Sequence, residues 1–293
     1  MEALISAETI LALTPTVIKT TAVDHISSIW SRTLTSAIVG YLISSDRTIT
    51  IDDIGGSVLL GYTNLLHISS SYEAFRNLPG GQAMSIMYTS PLWMLLINSI
   101  MNDEQITQSD YGFMSLAALG STVINYHPGE TRPAISSPHE TPVAAWGIFS
   151  SIIAAFTEAT MQALLKRLDW RDAAKSVWVV SGGASVWLLA FLGLYSILTG
   201  SRYPKVHGSI GEHAKLSLFN SVVTFLGYYL RFYAVPRIST VTYSILSYSG
   251  IFATYIFGLL FLGEKPSFIS IIGCIMIIIS GIMLTRKNIE QMK

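Results

Sequence analysis

The residues of this sequence that could do chemistry are polar side chains inside long apolar stretches. Glu158 lies near the middle of one stretch, where a carboxylate is costly without a neutralising partner. It could relay a proton, contact a cation, or pair with a basic neighbour. His67 follows Asn64 by three residues, so both occupy one helix face, and imidazole titrates near physiological pH. We expect Glu158 first and His67 second to handle protons; a histidine satisfied within the core is the alternative for His67.

An arginine and two tyrosines form a second group of candidates. Arg231 follows Tyr228 and Tyr229, and Asn220 lies two to three turns earlier in the same stretch. Tyrosines and an arginine together could bind an anionic or aromatic group, because they offer hydrogen-bond donors and flat faces. Anchoring at a membrane interface is the alternative interpretation.

Two basic residues and two more tyrosines complete the candidates. Lys19 and Arg32 flank a short turn near helix ends, where snorkelling of the charged head toward water is the alternative to a binding role. Tyr88 and Tyr248 are expected on the wall of a cavity. The predicted binding residues are therefore Glu158, His67, Asn64, Tyr88, Tyr229, Arg231, Asn220, Tyr248 and Lys19.

Missing motifs narrow the function. The sequence has no G-x-x-x-x-G-K-[ST], G-x-S-x-G or H-E-x-x-H segment, and its histidines lack metal-site spacing. We therefore expect no ATP-hydrolysing motor, no cofactor, no metal and no enzymatic activity. The 18 acidic and 18 basic residues cancel, which argues against a nucleic-acid partner.

The elements that position these residues are predicted to be membrane-spanning helices. Apolar residues make up 51% of the chain and charged residues only 12%, whereas soluble domains carry about 25% charged residues. A helix needs about 20 residues to cross the hydrocarbon core of a bilayer. The predicted spans are 3–22, 26–44, 54–74, 80–101, 109–126, 142–166, 173–199, 213–235, 239–262 and 267–285. The expected fold class is an all-α integral membrane protein with ten transmembrane helices.

The ten helices divide into two copies of five. The repeated residues are Tyr72, Phe75 and Pro79 with Tyr229, Phe232 and Pro236 at an offset of 157, Asp103, Gly112 and Gly120 with Glu264, Gly273 and Gly281 at 161, and, more loosely, Lys19 with Lys166 at 147. Offsets that grow along the chain are what two copies with lengthened loops would leave. We predict a first repeat at 1–127, an inter-repeat loop at 128–141, a second repeat at 142–285 and a cytoplasmic tail at 286–293.

Basic residues favour both termini in the cytoplasm, since positively charged loops stay inside. In that orientation nine lysines and arginines flank the cytoplasmic side and six flank the other. An odd number of helices per copy then inverts the second copy, which places a cavity between the halves near mid-membrane. The glycines spaced eight apart are predicted to pack helices together, and Asp103 and Glu264 to cap helices or form gate contacts.

Three stretches carry a family resemblance. They are Tyr72-x2-Phe75-x3-Pro79 followed by AMSIMYTSPLW at 83–93, AAFTEATMQALLKR at 154–167, and SILSYSGIFATYIFGLLFLGEKPSFISIIGCIMIIISG at 244–281. These stretches resemble the EamA-like branch of the drug/metabolite transporter superfamily. The resemblance covers nearly the whole chain, and its apolar patterns specify fold better than substrate. It implies ten helices in two inverted five-helix repeats, with a central cavity that serves alternating access.

Residues and resemblance together predict a multi-pass secondary transporter that moves a small polar metabolite by alternating access. Protons, exchange or the solute's own gradient would drive it. Its partners would be a small-molecule solute and the lipid bilayer, and a homodimer is compatible with the sequence. Two other classes stay open: an intramembrane enzyme acting on a lipid-linked substrate, and a non-transporting membrane scaffold. A polar-lined cavity would favour the carrier, and a dry bundle filled with leucine and isoleucine would favour the scaffold.

Overall fold

All regular secondary structure is helical in the part of the chain that the computed structural model describes. The described residues are 1–101, 107–126, 143–168, 170, 172–200, 208–238, 240–264 and 267–291. Their α-helices are α1 (Glu2–Leu11), α2 (Thr14–Thr20), α3 (His25–Ile43), α4 (Ile51–Asn77), α5 (Gly80–Met87), α6 (Ser90–Met101), α7 (Gln108–Tyr126), α8 (Ala144–Leu168), α9 (Ala173–Thr199), α10 (Ile210–Phe219), α11 (Phe225–Ala234), α12 (Thr240–Ser247), α13 (Ser249–Phe257) and α14 (Phe268–Gln291). Asp103 and the loop at 128–141 lie outside the described residues.

These helices form ten consecutive segments that coincide with the ten predicted spans. Segments 1, 4, 8 and 9 each consist of two helices, α1–α2, α5–α6, α10–α11 and α12–α13, while the other six are single helices. Short π-helical turns at Asn220–Thr224 and Gly258–Leu262 lie within segments 8 and 9. The main difference from the prediction is that α14 continues to Gln291, into the expected tail.

Polar and apolar residues are distributed as in a protein that faces lipid. The segments long and apolar enough to cross a bilayer, among those described, are Glu2–Thr20, Gly80–Ile100, Ala144–Leu168 and Ala173–Thr199. The outer surface carries large apolar side chains such as Ile197, Leu198 and Phe268, each more than 75% exposed. The interior instead contains charged side chains, among them Glu8 and Arg231. In lipid this arrangement is favourable, because polar groups can be satisfied only by one another.

Segments 1, 4 and 9 are interrupted near their middles. Pro15 and Pro91 occupy the second positions of α2 and α6. A proline ring has no N–H and clashes with the preceding turn, so the helix before it must end. Segment 9 parts at Tyr248 without a proline. There Gly250 makes room for Tyr88, because a Cβ on Gly250 would lie 1.7 Å from the Tyr88 hydroxyl oxygen.

Side-chain caps fix where several helices begin. Thr50 and Asp53 form a capping box at the start of α4: the Thr50 N–H donates to Asp53 at 2.8 Å and the Asp53 N–H to Thr50 at 3.2 Å. Ser209 and Glu212 form the same arrangement at the start of α10. Asp172 accepts hydrogen bonds from two backbone N–H groups at the start of α9. Because each cap satisfies backbone donors that would otherwise be unpaired, it sets the register of the whole helix.

The glycines predicted to pack helices do so in part. α7 packs along α14, and a Cβ on Gly120 would lie 2.7 Å from the Gly273 carbonyl oxygen. Gly112 has no neighbouring atom within 4 Å of such a Cβ, so it does not mediate this contact. A second close crossing joins α4 to α9, where a Cβ on Gly61 would lie 2.6 Å from the Gly183 Cα. At both crossings the missing side chains let backbones touch.

Candidate functional site

An arginine shared by two carboxylates lies in the interior. Arg231 of α11 donates from Nε to Glu8 Oε1 at 3.0 Å and from Nη2 to Glu8 Oε2 at 2.7 Å. Its Nη1 donates to Oε1 of Glu158 on α8. The Tyr88 hydroxyl donates to Glu8 Oε2 at 2.6 Å. Glu8 is 0% exposed, Arg231 5% and Glu158 7%, so these are buried charges that need each other, and they tie α1, α8 and α11 together.

A second buried arginine lies on aromatic rings. Arg32 of α3 is 5% exposed and donates from Nη2 to the Tyr228 hydroxyl. Its guanidinium carbon lies 4.8 Å from the Tyr228 ring centroid and 5.5 Å from that of Tyr72. The guanidinium carbon of Arg231 lies 5.5 Å from the same Tyr228 centroid. Tyr228 therefore contacts both cations, an arrangement that favours the charged forms through the ring quadrupole.

Hydrogen bonds fix the tautomer of His67. Its Nδ1 lies 3.0 Å from the Ala154 carbonyl oxygen, which can only accept, so Nδ1 carries the hydrogen. Its Nε2 lies 3.3 Å from the Tyr228 hydroxyl oxygen. Since that oxygen already accepts from Arg32, the hydroxyl proton is directed at Nε2. One chain of donors thus runs from Arg32 through Tyr228 and His67 to α8.

Most of these groups, but not Glu8 or Tyr72, line a small cavity of ≈ 40 Å³, which has room for roughly two or three water molecules. Its walls come from segments 1, 2, 3, 4, 6 and 8. The lining residues are Leu11, Thr14, Arg32, His67, Ser71, Phe75, Met84, Met87, Tyr88, Glu158, Tyr228 and Arg231. Segment 9 was expected on the wall; it instead supports the cavity from behind, with Gly250 against Tyr88. Among the described residues, no group of three or more His, Cys, Asp or Glu side chains could hold a metal.

The second half of the chain matches a known family. Residues 144–286 match the EamA-like transporter family. The resemblance expected from the sequence is thereby confirmed in that half, and it supports a general role in transport across a membrane. One solved structure, described as "Crystal structure of protein", superposes with a TM-score of 0.66 at 15% identity, covering 100% of this chain and 96% of its own. At that identity the likeness shows the fold alone. No curated protein matches the chain.

The fold brings only some of the predicted binding residues together. Glu158, His67, Tyr88 and Arg231 line the cavity. Tyr229 does not: it packs on Phe225 with ring centroids 6.0 Å apart, and its neighbour Tyr228 faces the cavity instead.

The remaining predicted residues are buried elsewhere in the bundle. Asn220 is 1% exposed and donates to the Ser31 hydroxyl at 3.1 Å. Asn64 and Tyr248 are each 4% exposed, and neither lines the cavity. Asn220 therefore supports the packing of α3 on segment 8.

Lys19 forms an ion pair at one end of the bundle. Lys19, 5% exposed, pairs with Glu264. Both carboxylate oxygens of Glu264 also lie within hydrogen-bond distance of the Gly80 N–H, at 3.2 and 3.1 Å. The contact joins α2, the turn after segment 9 and the start of α5. Glu264 was expected to cap the helix that follows it or to form a gate contact; its carboxylate instead accepts from the first N–H of α5, directly after Pro79.

Sequence reasoning missed two of the central charges. Glu8 was overlooked, although it is the acidic residue inside the otherwise apolar first span, and that position could have flagged it. The snorkelling interpretation of Arg32 is wrong, because the side chain turns into the bundle and lines the cavity. Its place eight residues into α3, rather than at the helix end, was the available signal.

Proposed function

We propose that this protein is a secondary transporter that moves a small polar metabolite by alternating access. The observation that carries the proposal is the buried cavity lined by Arg32, His67, Glu158 and Arg231 inside a helical body with an apolar outer surface. A scaffold would need no such lining, because buried charges cost stability and are retained in membrane spans where a function requires them.

Helix contacts support an inverted repeat with the cavity between its halves. Segment 3 packs on segment 6, as α4 on α8, and segment 8 packs on segment 1, as α11 on α1. Replacing each segment by its counterpart in the other half, 3 by 8 and 6 by 1, converts one pair into the other. Segments 2 and 7, 4 and 9, and 5 and 10 each contact their own counterparts. A two-fold axis in the membrane plane requires this pattern.

Glu158 is our first candidate for proton coupling and His67 the second. Glu158 is held by one hydrogen bond, from Arg231, whereas Glu8 accepts three. The more weakly held carboxylate can release its cation and take a proton with less rearrangement. Gln162 lies one turn further along α8, is 1% exposed, and has no hydrogen-bond partner among the described residues for either amide atom. Gln162 is thus a buried polar side chain on the same face of α8 as Glu158.

The Lys19–Glu264 ion pair acts in this proposal as a gate at the outer end, with both termini in the cytoplasm. It bridges the first half to the turn that follows segment 9, so it must break if the halves separate at that end. The cavity of ≈ 40 Å³ is too small for a metabolite, so in this proposal the halves must move apart to admit one.

Cysteine accessibility tests alternating access. The single native cysteine, Cys274, is buried, and Cys274→Ser gives a cysteine-free background. We expect Met84→Cys, on the cavity wall, to react with a membrane-impermeant maleimide from either face of sealed vesicles. Its matched control is Ile152→Cys on α8, 44% exposed on the apolar outer surface, which should react from neither face.

The three functional classes give different labelling patterns. Labelling of Met84→Cys from both faces supports the carrier. Labelling from one face only would indicate an intramembrane enzyme with a fixed opening. No labelling at either face would indicate a closed scaffold, and either of the last two results would overturn the proposal.

A further inference from the structure

Arg32 differs from the other buried cations. The buried basic side chains of the described residues are Lys19, Arg32, Lys175 and Arg231. Each of the other three pairs with at least one carboxylate at 4 Å or less. Arg32 has no carboxylate partner among the described residues, and its contacts are the neutral phenol and rings of Tyr228 and Tyr72.

A buried guanidinium without a carboxylate in contact is costly, and its fixed fork of five N–H donors matches a carboxylate. The Tyr228 hydroxyl cannot serve an anion in its place, because its proton is directed at His67. Arg231 is less suited to an anion, since Glu8 and Glu158 already contact it and take three of its five N–H donors. Arg32 is therefore the arginine on the cavity wall that no carboxylate of the described residues contacts.

We propose that Arg32 binds the carboxylate of a monoanionic organic solute, and that the solute moves together with one proton. The inference rests on the proposed transport function and names its substrate class. A cationic solute is disfavoured because Glu158, the carboxylate on the cavity wall, already pairs with Arg231, as does the neighbouring Glu8. A phosphate monoester carries about −1.5 to −2 charges near neutral pH, more than one guanidinium neutralises.

The proton follows from the charge balance of the cavity. Arg32 and Arg231 balance Glu8 and Glu158, so a bound anion leaves one excess negative charge in a medium of low dielectric. Protonation of Glu158 removes that excess. The charged and titratable groups that face Glu158 are Glu8, Arg32, His67, Tyr88, Tyr228, Arg231 and Tyr243.

A binding screen tests the substrate class first. Purified protein is unfolded thermally in detergent with acetate, lactate, pyruvate or phenylacetate, and with choline, glucose or glycerol phosphate as other classes. We expect a monocarboxylate to raise the unfolding temperature and Arg32→Gln to bind it at least about tenfold more weakly, as loss of a charge-assisted pair implies. Arg32→Lys keeps the charge and should retain part of the binding, which separates a lost anchor from a misfolded variant.

The matched control is Arg237→Gln. The guanidinium carbon of Arg237 lies 3.9 Å from the Tyr233 ring centroid, so this arginine lies over a tyrosine ring as Arg32 does. Unlike Arg32, Arg237 is exposed and does not line the cavity. We expect it to bind like the wild type. No carboxylate effect on the wild type, or equal binding by wild type and Arg32→Gln, would overturn the inference.

Uptake into proteoliposomes tests the coupling. The radiolabelled monocarboxylate with the largest effect should accumulate when the lumen is alkaline, and a membrane potential set with valinomycin should leave the rate unchanged. A rate that follows the potential but not the proton gradient would refute the one-proton stoichiometry. Uptake of choline or glucose without carboxylate uptake would overturn the Arg32 inference and leave the carrier standing. Uptake of none of these probes, together with the absence of two-sided labelling of Met84→Cys, would overturn both the transport function and the Arg32 inference.

Discussion

A double-mutant cycle on the two carboxylates that share Arg231 tests the centre of the structure. Glu8 accepts from Arg231 Nε at 3.0 Å, from Nη2 at 2.7 Å and from the Tyr88 hydroxyl at 2.6 Å, whereas Glu158 accepts one hydrogen bond from Arg231. A hydrogen bond to a charged group contributes about 1.5–3 kcal/mol. Because glutamine keeps one oxygen acceptor, we expect Glu8→Gln to lose about 2–4 kcal/mol and Glu158→Gln about 1.5–3 kcal/mol of unfolding free energy.

The double variant carries the decisive prediction. Each single variant leaves Arg231 one carboxylate, but Glu8→Gln/Glu158→Gln leaves a buried guanidinium with none. Removing the last carboxylate in this way costs about 3–5 kcal/mol for the second substitution, against about 1.5–3 kcal/mol when Glu158→Gln is made alone, so the combined loss should exceed the sum of the single losses by about 1–2 kcal/mol. The assay is equilibrium unfolding in mixed detergent micelles.

The matched control for this cycle is Glu2→Gln, an exposed carboxylate in the first turn of the same helix, α1. It should change the unfolding free energy by less than about 1 kcal/mol, the contribution expected of an exposed charge near a helix end. Strictly additive losses in the cycle would refute the sharing of one guanidinium by both carboxylates.

Three further predictions concern other parts of the fold. Lys19→Met should lower the unfolding free energy by about 3 kcal/mol, because it leaves Glu264 buried without its cation. Adding Glu264→Gln should restore part of that loss in the same unfolding assay. A further loss in the double variant would contradict the ion pair. Gly120→Ala should destabilise by about 1–3 kcal/mol because its methyl group would meet the backbone of α14, while Gly112→Ala, with open space around it, should be neutral or stabilising, and equal effects would be inconsistent with the close crossing. Hydrogen bonds from the Lys175 ammonium and from the Thr48 hydroxyl and N–H hold the pKa of Asp46 below its ordinary 3.8. The contribution of Asp46 to stability is therefore present above that pH and is lost as the pH falls further. Asp46→Asn should flatten the decline in unfolding temperature between about pH 4 and pH 2, and an unchanged decline would argue against this.

The helix positions could be predicted from the sequence because the bilayer leaves the backbone few alternatives. Four of the spans follow from apolar length alone, and the structure places a helical segment at each of the ten predicted positions. The breaks at Pro15 and Pro91 were not anticipated, although proline at a helix start gives a physical reason for both. The interruption at Tyr248 could not be predicted, because it depends on Tyr88 reaching Gly250 from another segment.

The residue types of several candidate-site residues stand out in the sequence, but the way their side chains are oriented does not follow from it. Charged residues deep in apolar stretches, such as Glu158 and Arg231, were correctly placed in the interior, since lipid would not accept them. Tyr229 was chosen over Tyr228, and one residue turns a helical side chain by about 100°. Sequence spacing alone does not give the absolute rotation of a helix, so it could not tell which of two adjacent tyrosines faces the cavity. Glu8 and Arg32 acquire their roles only from partners far away in the chain.

The interruptions of segments 4 and 9 have a mechanical consequence. α5 and α13 are 8 and 9 residues long and pack on each other, as do α6 and α12. Helices of that length do not persist in isolation, so neighbouring helices rather than their own backbone hydrogen bonds hold them in shape. A continuous rod would transmit any tilt from one face of the membrane to the other. Two short helices that meet at Tyr88, and two that meet at Tyr248, let the helices at one face of the membrane rearrange while those at the opposite face stay still. Such motions fall in the microsecond-to-millisecond range. The backbone amides at the two junctions should therefore exchange hydrogen faster than those of the helices on either side.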